Sequence, residues 1–125
     1  MIALDASALL CFMFQEEGTE RVSKYLTDAC LSTVNLSEVI GCFTRDGHDA
    51  DTVISNICST AIQIIPFDET QATIAARIQP ATQSQGLSLG GRACLSLAIS
   101  KEIPALTADK IWQSADLNVE VILVR

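Results

Sequence analysis

The sequence has few basic residues and only one histidine. Its 8 lysines and arginines are outnumbered by 15 aspartates and glutamates, and the formal net charge is −7. Phosphate affinity usually comes from lysine and arginine, so this balance disfavours nucleic-acid binding through a basic surface. A single histidine, His48, cannot build a zinc site. The acids are therefore either solvated surface or, in part, groups that converge on bound cations, which would reverse the local charge.

Paired cysteine motifs and long apolar runs are also missing. The five cysteines contain no CxxC pair and fall mostly in apolar helical patterns, which predicts free, buried thiols in a reducing cytosol. They are Cys11, Cys30, Cys42, Cys58 and Cys94. The opening MIALDASALL has no basic segment, and no apolar stretch reaches membrane-spanning length. We expect a cytoplasmic protein that is not associated with a membrane.

Short apolar runs alternate with helical patterns along the 125 residues. The chain length suits one domain, residues 1–125, and the 49% hydrophobic content suffices for a core. Strands are predicted at Met1–Leu4, Cys30–Val34, Ile62–Phe67, Ala105–Thr107 and Val119–Val124. Helices are predicted at Ala6–Phe14, at Thr19–Thr27, after an Asn35 cap, after Asp49 or Asp51, after an Asp68 cap and at Arg92–Ser100, with a loop at Ala81–Gly86. This alternation predicts an α/β fold, a three-layer α/β/α sandwich around a central, mostly parallel sheet.

Three acids stand where such a sheet would bring them together. Asp5 and Asp109 each come just after a predicted strand, and Glu38 lies one turn into the helix that follows the second strand. Parallel strands end at a common edge, where ligands bind in folds of this kind. Each acid could instead serve a helix terminus, Asp5 and Asp109 as N-caps and Glu38 as half of a capping box. Clustered carboxylates favour Mg²⁺ or Mn²⁺ ligation and metal-assisted phosphodiester chemistry.

Four segments of the chain are informative: IALDASALL at the amino terminus, NLSEV around Glu38, LSLGGRACLSLA at 87–98 and LTADKIW at 106–112. Together they resemble the PIN domain, and within it the VapC-type toxins of toxin–antitoxin pairs. The resemblance implies a Mg²⁺- or Mn²⁺-dependent endoribonuclease with Asp5, Glu38 and Asp109 as catalytic acids, Asp5 and Asp109 among them as metal ligands. It also implies an RNA substrate, a homodimer and a small antitoxin through which alone operator DNA would be bound.

Further positions follow from the resemblance by alignment of the motifs. Ser7 and Thr107 match hydroxyl positions that line the site. Asp116 could be an outer acid, although a solvated residue before the last strand is the simpler interpretation. Arg92, which the resemblance does not assign, adjoins the site in the sequence and could contact a phosphate, although a lone arginine is more often surface.

Gly91 is the departure from the family motif, which has an aspartate at this position. Losing that carboxylate removes a metal ligand and should cost orders of magnitude in rate. An inactivating change, engineered or selected, and a naturally degenerate copy both explain it. A non-catalytic pseudo-nuclease that sequesters an antitoxin or RNA is the alternative function. A phospho-acceptor receiver domain fits poorly, since Asp5 has no acidic neighbour.

The first helix is apolar on more than one face, because Leu9, Leu10, Phe12, Met13 and Phe14 fall close together. These residues either pack in the core or, together with Phe43, form part of a dimer or antitoxin groove.

Overall fold

Five strands and seven α-helices alternate along the chain in the computed structural model, which describes residues 1–125. The strands are β1 (Ile2–Leu4), β2 (Ala29–Ser32), β3 (Gln63–Ile65), β4 (Ala105–Thr107) and β5 (Val121–Leu123). The helices are α1 (Ala6–Met13), α2 (Thr19–Ser23), α3 (Thr33–Arg45), α4 (Ala50–Cys58), α5 (Glu69–Arg77), α6 (Gln79–Thr82) and α7 (Leu89–Lys101). Two 3-10 helices, Leu26–Asp28 and Lys110–Ser114, come before β2 and after β4.

All five strands are parallel and lie in the order β3-β2-β1-β4-β5. β1 is central, with Ala3 in register with Cys30 of β2 and Ala105 of β4. From β1 the chain first builds one side of the sheet and then crosses to the other side for β4 and β5. This switch beside β1 is where a crevice opens at the carboxyl edge of such sheets.

Side chains of alternate strand residues build two separate cores, one on each face of the sheet. Ile2, Leu4 and Leu106 belong to the larger core, which α1 to α4 cover. Ala3 and Ala105 belong to the smaller core, which is covered mainly by α7. The small residues on this second face let α7 lie close to the strands. The predicted three-layer α/β/α sandwich with a parallel sheet is confirmed.

Helix α3 begins earlier than predicted, so the assignment of Asn35 as its cap is wrong. Ser32 caps the helix, and its Oγ accepts a hydrogen bond from the Val34 N–H at 3.2 Å. Strand β2 therefore ends two residues before the predicted end. Asn35 is inside the first turn and fully buried. Glu38 consequently lies in the second turn, outside a capping box.

Helix α7 also begins earlier, at Leu89 and not near Arg92. Ser88 caps it by accepting a hydrogen bond from the Gly91 N–H at 3.4 Å. Helix propensity does not predict this first turn, because it contains Gly90 and Gly91 and glycine is a poor helix former. In the segment predicted as a loop, α6 continues as far as Thr82.

The cysteines are all free, but not all are buried as predicted. Cys42 is half-buried, and Cys58 is exposed because it lies at the last position of α4. None of the helices combines the length and apolar character needed to cross a bilayer.

Candidate active site at the carboxyl edge of the sheet

Asp5, Glu38 and Asp109 lie at the carboxyl edge of three adjacent strands. Asp5 directly follows the central strand β1, and Asp109 is two residues beyond β4. Glu38 comes from α3, which starts immediately after β2. The parallel order of β2, β1 and β4 thus gathers acids that are up to 104 positions apart in the sequence.

Asp5 is held by two hydroxyls, one from helix α1 and one from strand β4. It is 8% exposed. Its Oδ2 accepts hydrogen bonds from Ser7 Oγ at 2.6 Å and from Thr107 Oγ1 at 2.9 Å. The same hydroxyl oxygens accept from the backbone N–H groups of Ala108 and Asp109, each at 3.0 Å. Each hydroxyl thus accepts from a backbone N–H and can donate its hydrogen to Oδ2, an arrangement that suits an ionised carboxylate.

Burial nevertheless raises the pKa of Asp5 above its ordinary value. The hydrogen bonds from Ser7, from Thr107 and from the Ala6 backbone oppose this effect, and the negative charge of Asp109 adds to it. Asp5 is therefore a carboxylate whose charge is incompletely compensated by the protein alone.

Asp109 is exposed. Its Oδ1 accepts a hydrogen bond from the Ile111 N–H at 3.1 Å and so caps the 3-10 helix Lys110–Ser114. The helix-cap interpretation and a place at the site both hold for this residue, because the second carboxylate oxygen accepts no hydrogen bond from the protein.

Glu38 approaches the site from the opposite wall. The side chain as a whole is exposed, but its carboxylate lies against the start of α7, where Asn35 Nδ2 donates to Oε1 at 2.9 Å. Partial burial of this carboxylate raises its pKa; the Asn35 hydrogen bond lowers it, and the charge of Asp5 raises it further.

All three acids line one cleft of about 330 Å³. The other lining residues are Ala6, Ser7, Leu10, Cys42, Gly86, Leu87, Ser88, Gly91 and Trp112. No lysine or arginine is among them, and the one ion pair of the chain, between the Met1 amino group and Asp28 at 3.0 Å, is elsewhere. The cleft therefore concentrates negative charge without a counter-charge from the protein.

Gly91 lines this cleft from the first turn of α7. A Cβ at this position would lie 3.3 Å from side-chain atoms of both Leu87 and Trp112. An aspartate here would thus project from the cleft wall, provided that these two apolar side chains moved by a few tenths of an ångström.

Two residues that the sequence associates with the site are directed elsewhere. The Arg92 guanidinium donates to the Ala75 carbonyl of α5 at 3.2 Å, and Arg92 does not line the cleft. Asp116 lines a different depression, formed with Ile103, Val119 and neighbouring residues. Ser7 and Thr107, by contrast, contact Asp5 directly.

Asn35 and Gly90 contact Glu38, and the sequence predicts neither as a site residue. It predicts Asn35 as a helix cap and indicates no role for Gly90. A fully buried asparagine three residues before a site acid is the signal that could have identified the first. Nothing local in the sequence identifies the second, because its contact comes from another helix.

The donor set fits a hard divalent cation held largely by water, and does not fit a closed protein cage. No three acidic, histidine or cysteine side chains lie close enough together to surround one ion. Mg²⁺ commonly binds through one or two carboxylates and retains several waters. Asp5 and Asp109 would supply these carboxylates, since both line the cleft and the charge of Asp109 acts on Asp5.

The PIN domain family model matches residues 2–117, and the chain therefore belongs to that family. No curated protein sequence matches it significantly. Similar folds occur in a toxin-antitoxin complex from Klebsiella pneumoniae, with a TM-score of 0.78 and 14% identity over 100% of this chain and 98% of that one. DNA-bound VapBC from Salmonella typhimurium is similar with a TM-score of 0.74 and 15% identity over 100% of both chains. FitAcB from Neisseria gonorrhoeae has a TM-score of 0.70 and 23% identity over 98% of this chain and 96% of that one.

Proposed function

We propose that the chain is the toxin of a toxin–antitoxin pair and acts as a Mg²⁺- or Mn²⁺-dependent endoribonuclease, weakened by Gly91. The observation that supports this function best is the single cleft that contains Asp5, Glu38 and Asp109 and no basic side chain. Such a cleft repels a phosphodiester unless cations are bound in it, and bound cations would reverse its charge.

The residues take distinct roles in this proposal. Ser7 and Thr107 orient the Asp5 carboxylate. Asp5 and Asp109 together would hold the cation. A bound cation would supply Lewis-acid chemistry at a phosphodiester and would acidify water. Glu38, on the opposite wall with a raised pKa, is suited to accept a proton from an attacking water.

Gly91 limits the activity in this proposal. The glycine leaves one wall of the cleft without a carboxylate, and Leu87 and Trp112 are the side chains nearest to the missing Cβ. A second cation would therefore bind weakly, and less of the transition-state charge would be stabilised.

The partners are proposed from the family and from one surface. The structures with similar folds include VapBC and FitAB complexes. In this chain an apolar groove of about 160 Å³, with Leu9, Phe12 and Met13 on one side, lies between α1 and α4. An amphipathic antitoxin segment would suit such a groove. Homodimerisation, operator binding through the antitoxin and a cytoplasmic location stay predictions of the same kind.

Cleavage of a single-stranded RNA tests the catalytic part. We expect slow cleavage by the unaltered chain in Mn²⁺, no cleavage in EDTA or by Asp5→Ala, and faster cleavage by Gly91→Asp. Undiminished cleavage in EDTA would refute the metal requirement. Equal rates with and without Gly91→Asp, at equal thermal stability, would show that Gly91 is not the cause of weak activity.

A non-catalytic binding module is the second candidate, favoured by Gly91 and by the absence of a three-ligand cluster. Calorimetric titration with Mn²⁺ separates the two functions. A chain that binds RNA or an antitoxin but shows no Mn²⁺ binding and no cleavage, even as Gly91→Asp, is the pseudo-nuclease.

A further inference from the structure

The carboxylate of Glu38 occupies the space that a side chain at residue 90 would fill. A Cβ built on Gly90 would overlap Oε1, Oε2 and Cδ of Glu38, and these are the three nearest atoms to it. No backbone atom is among them. The obstacle to a larger residue at this position is therefore the flexible end of one acidic side chain.

Glycine at residue 90 destabilises the helix relative to alanine, so its presence requires an explanation. Gly90 is buried in the first turn of α7, where alanine would favour the helix more. Its backbone has no positive φ, so conformation does not require glycine. Contact with the Glu38 carboxylate is the reason that the structure offers.

Asn35 connects the two residues. Its Nδ2 donates to Glu38 Oε1 and to the Gly90 carbonyl, each at 2.9 Å. Both partners are acceptors, so the amide orientation follows from the hydrogen bonds. Asn35 is fully buried and Glu38 is three residues further along the same helix. The amide therefore joins α3 to α7 at the point where the carboxylate lies.

We propose that Asn35 and Gly90 are positioning residues that hold the Glu38 carboxylate in the cleft. Gly90 leaves the space, and Asn35 orients the carboxylate within it. Without them the long, otherwise exposed Glu38 side chain would sample several rotamers. The catalytic consequence rests on the proposed nuclease function, whereas the contact itself does not.

Gly90→Ala is the decisive variant, and Gly41→Ala is its matched control. Gly41 lies in α3, and a Cβ there would meet nothing within 4 Å. Both variants should fold, because at residue 90 only the end of the Glu38 side chain has to move. In ¹⁵N-labelled, metal-free protein, we expect Gly90→Ala to speed the exchange with solvent of the Asn35 side-chain amide hydrogen that is donated to Glu38. Gly41→Ala should leave it protected.

Cleavage kinetics provide the second measurement. Misplacing the reacting group should lower kcat by about 100-fold in Gly90→Ala with little change in KM for RNA. In a Glu38→Gln background the same change should cost far less, because the group being positioned is already lost. Asn35→Ala, which adds no volume, should reproduce the fall in kcat if Gly90→Ala does not fold.

Several outcomes would overturn the inference. One is an unchanged Asn35 amide signal in Gly90→Ala. Another is an equal loss of thermal stability from Gly90→Ala with and without Glu38, which would indicate packing alone. Equal kcat in Gly90→Ala and Gly41→Ala would show that the position of the Glu38 carboxylate set by Gly90 does not affect catalysis. If neither the unaltered chain nor Gly91→Asp cleaves RNA, the nuclease proposal fails, and the amide measurement still decides whether Asn35 and Gly90 hold Glu38.

Discussion

Thr107→Val should destabilise the fold by removing one hydroxyl. Valine otherwise keeps the shape and the β-branched character of threonine, so the loss can be assigned to that hydroxyl. The Thr107 side chain is fully buried at the end of β4. Its hydroxyl donates to Asp5 Oδ2 at 2.9 Å and accepts from the Asp109 N–H at 3.0 Å. The substitution therefore removes a donor to a buried carboxylate and an acceptor for a backbone group, without leaving a cavity.

The magnitude follows from the two lost hydrogen bonds. A hydrogen bond to a charged group contributes about 1.5–3 kcal/mol. The Asp109 N–H adds less, because Asp109 is exposed and water can replace the lost acceptor. Ser7 still donates to Asp5 at 2.6 Å. We expect a loss of about 2–3 kcal/mol in the free energy of unfolding, or about 8–12 °C in Tm for a domain of this length.

Urea denaturation in EDTA measures this loss, and an unchanged m-value would show that the unfolded state is unaffected. Thr73→Val is the matched control, since the Thr73 hydroxyl is exposed and donates only to the Glu69 carbonyl at 2.9 Å. The control should cost about 0.5 kcal/mol or less. If Thr107→Val costs no more than Thr73→Val, the hydroxyl network around Asp5 does not stabilise the fold.

Two further predictions concern stability in the absence of metal. The raised pKa of Asp5 means that its stabilising contribution is fully present below the ordinary value of 3.8 and is lost as the pH rises through the raised value. Asp5→Asn should therefore be more stable than the unaltered chain at pH 7 in EDTA, with a difference that shrinks as the pH falls through the raised pKa toward 3.8; lower stability at pH 7 would contradict this. Gly18→Ala should lower Tm substantially, because Gly18 has φ +102° and a Cβ would lie 2.5 Å from the Val124 carbonyl oxygen, whereas Gly41→Ala should not.

The predicted strand ends alone indicate two of the three acids. Apolar runs stop at Asp5 and shortly before Asp109, and the strands of a parallel sheet end on one side. The sheet order then explains their convergence, because β1 and β4 are neighbours. The family motif identified Gly91, a departure that composition and periodicity could not reveal.

Helix boundaries were less well determined, because more than one residue can cap. Asn35 and Ser32 are both good N-cap residues. Only the structure shows that Ser32 caps α3 and that Asn35 is free to contact Glu38. The residue pattern alone does not predict that α7 begins at Leu89, because two glycines in its first turn disfavour a helix.

The sequence by itself determined the alternation of strands and helices, the acids at the strand ends and the missing aspartate at 91, because these depend on local order along the chain. Tertiary structure alone decided which side chains meet. Arg92 contacts α5, although it adjoins the predicted site in the sequence, and Asp116 lies elsewhere, although the family resemblance suggests it as an outer acid. Gly90 faces a carboxylate from another helix. Such contacts depend on how α3 and α7 pack across the sheet, a geometry that no local pattern encodes.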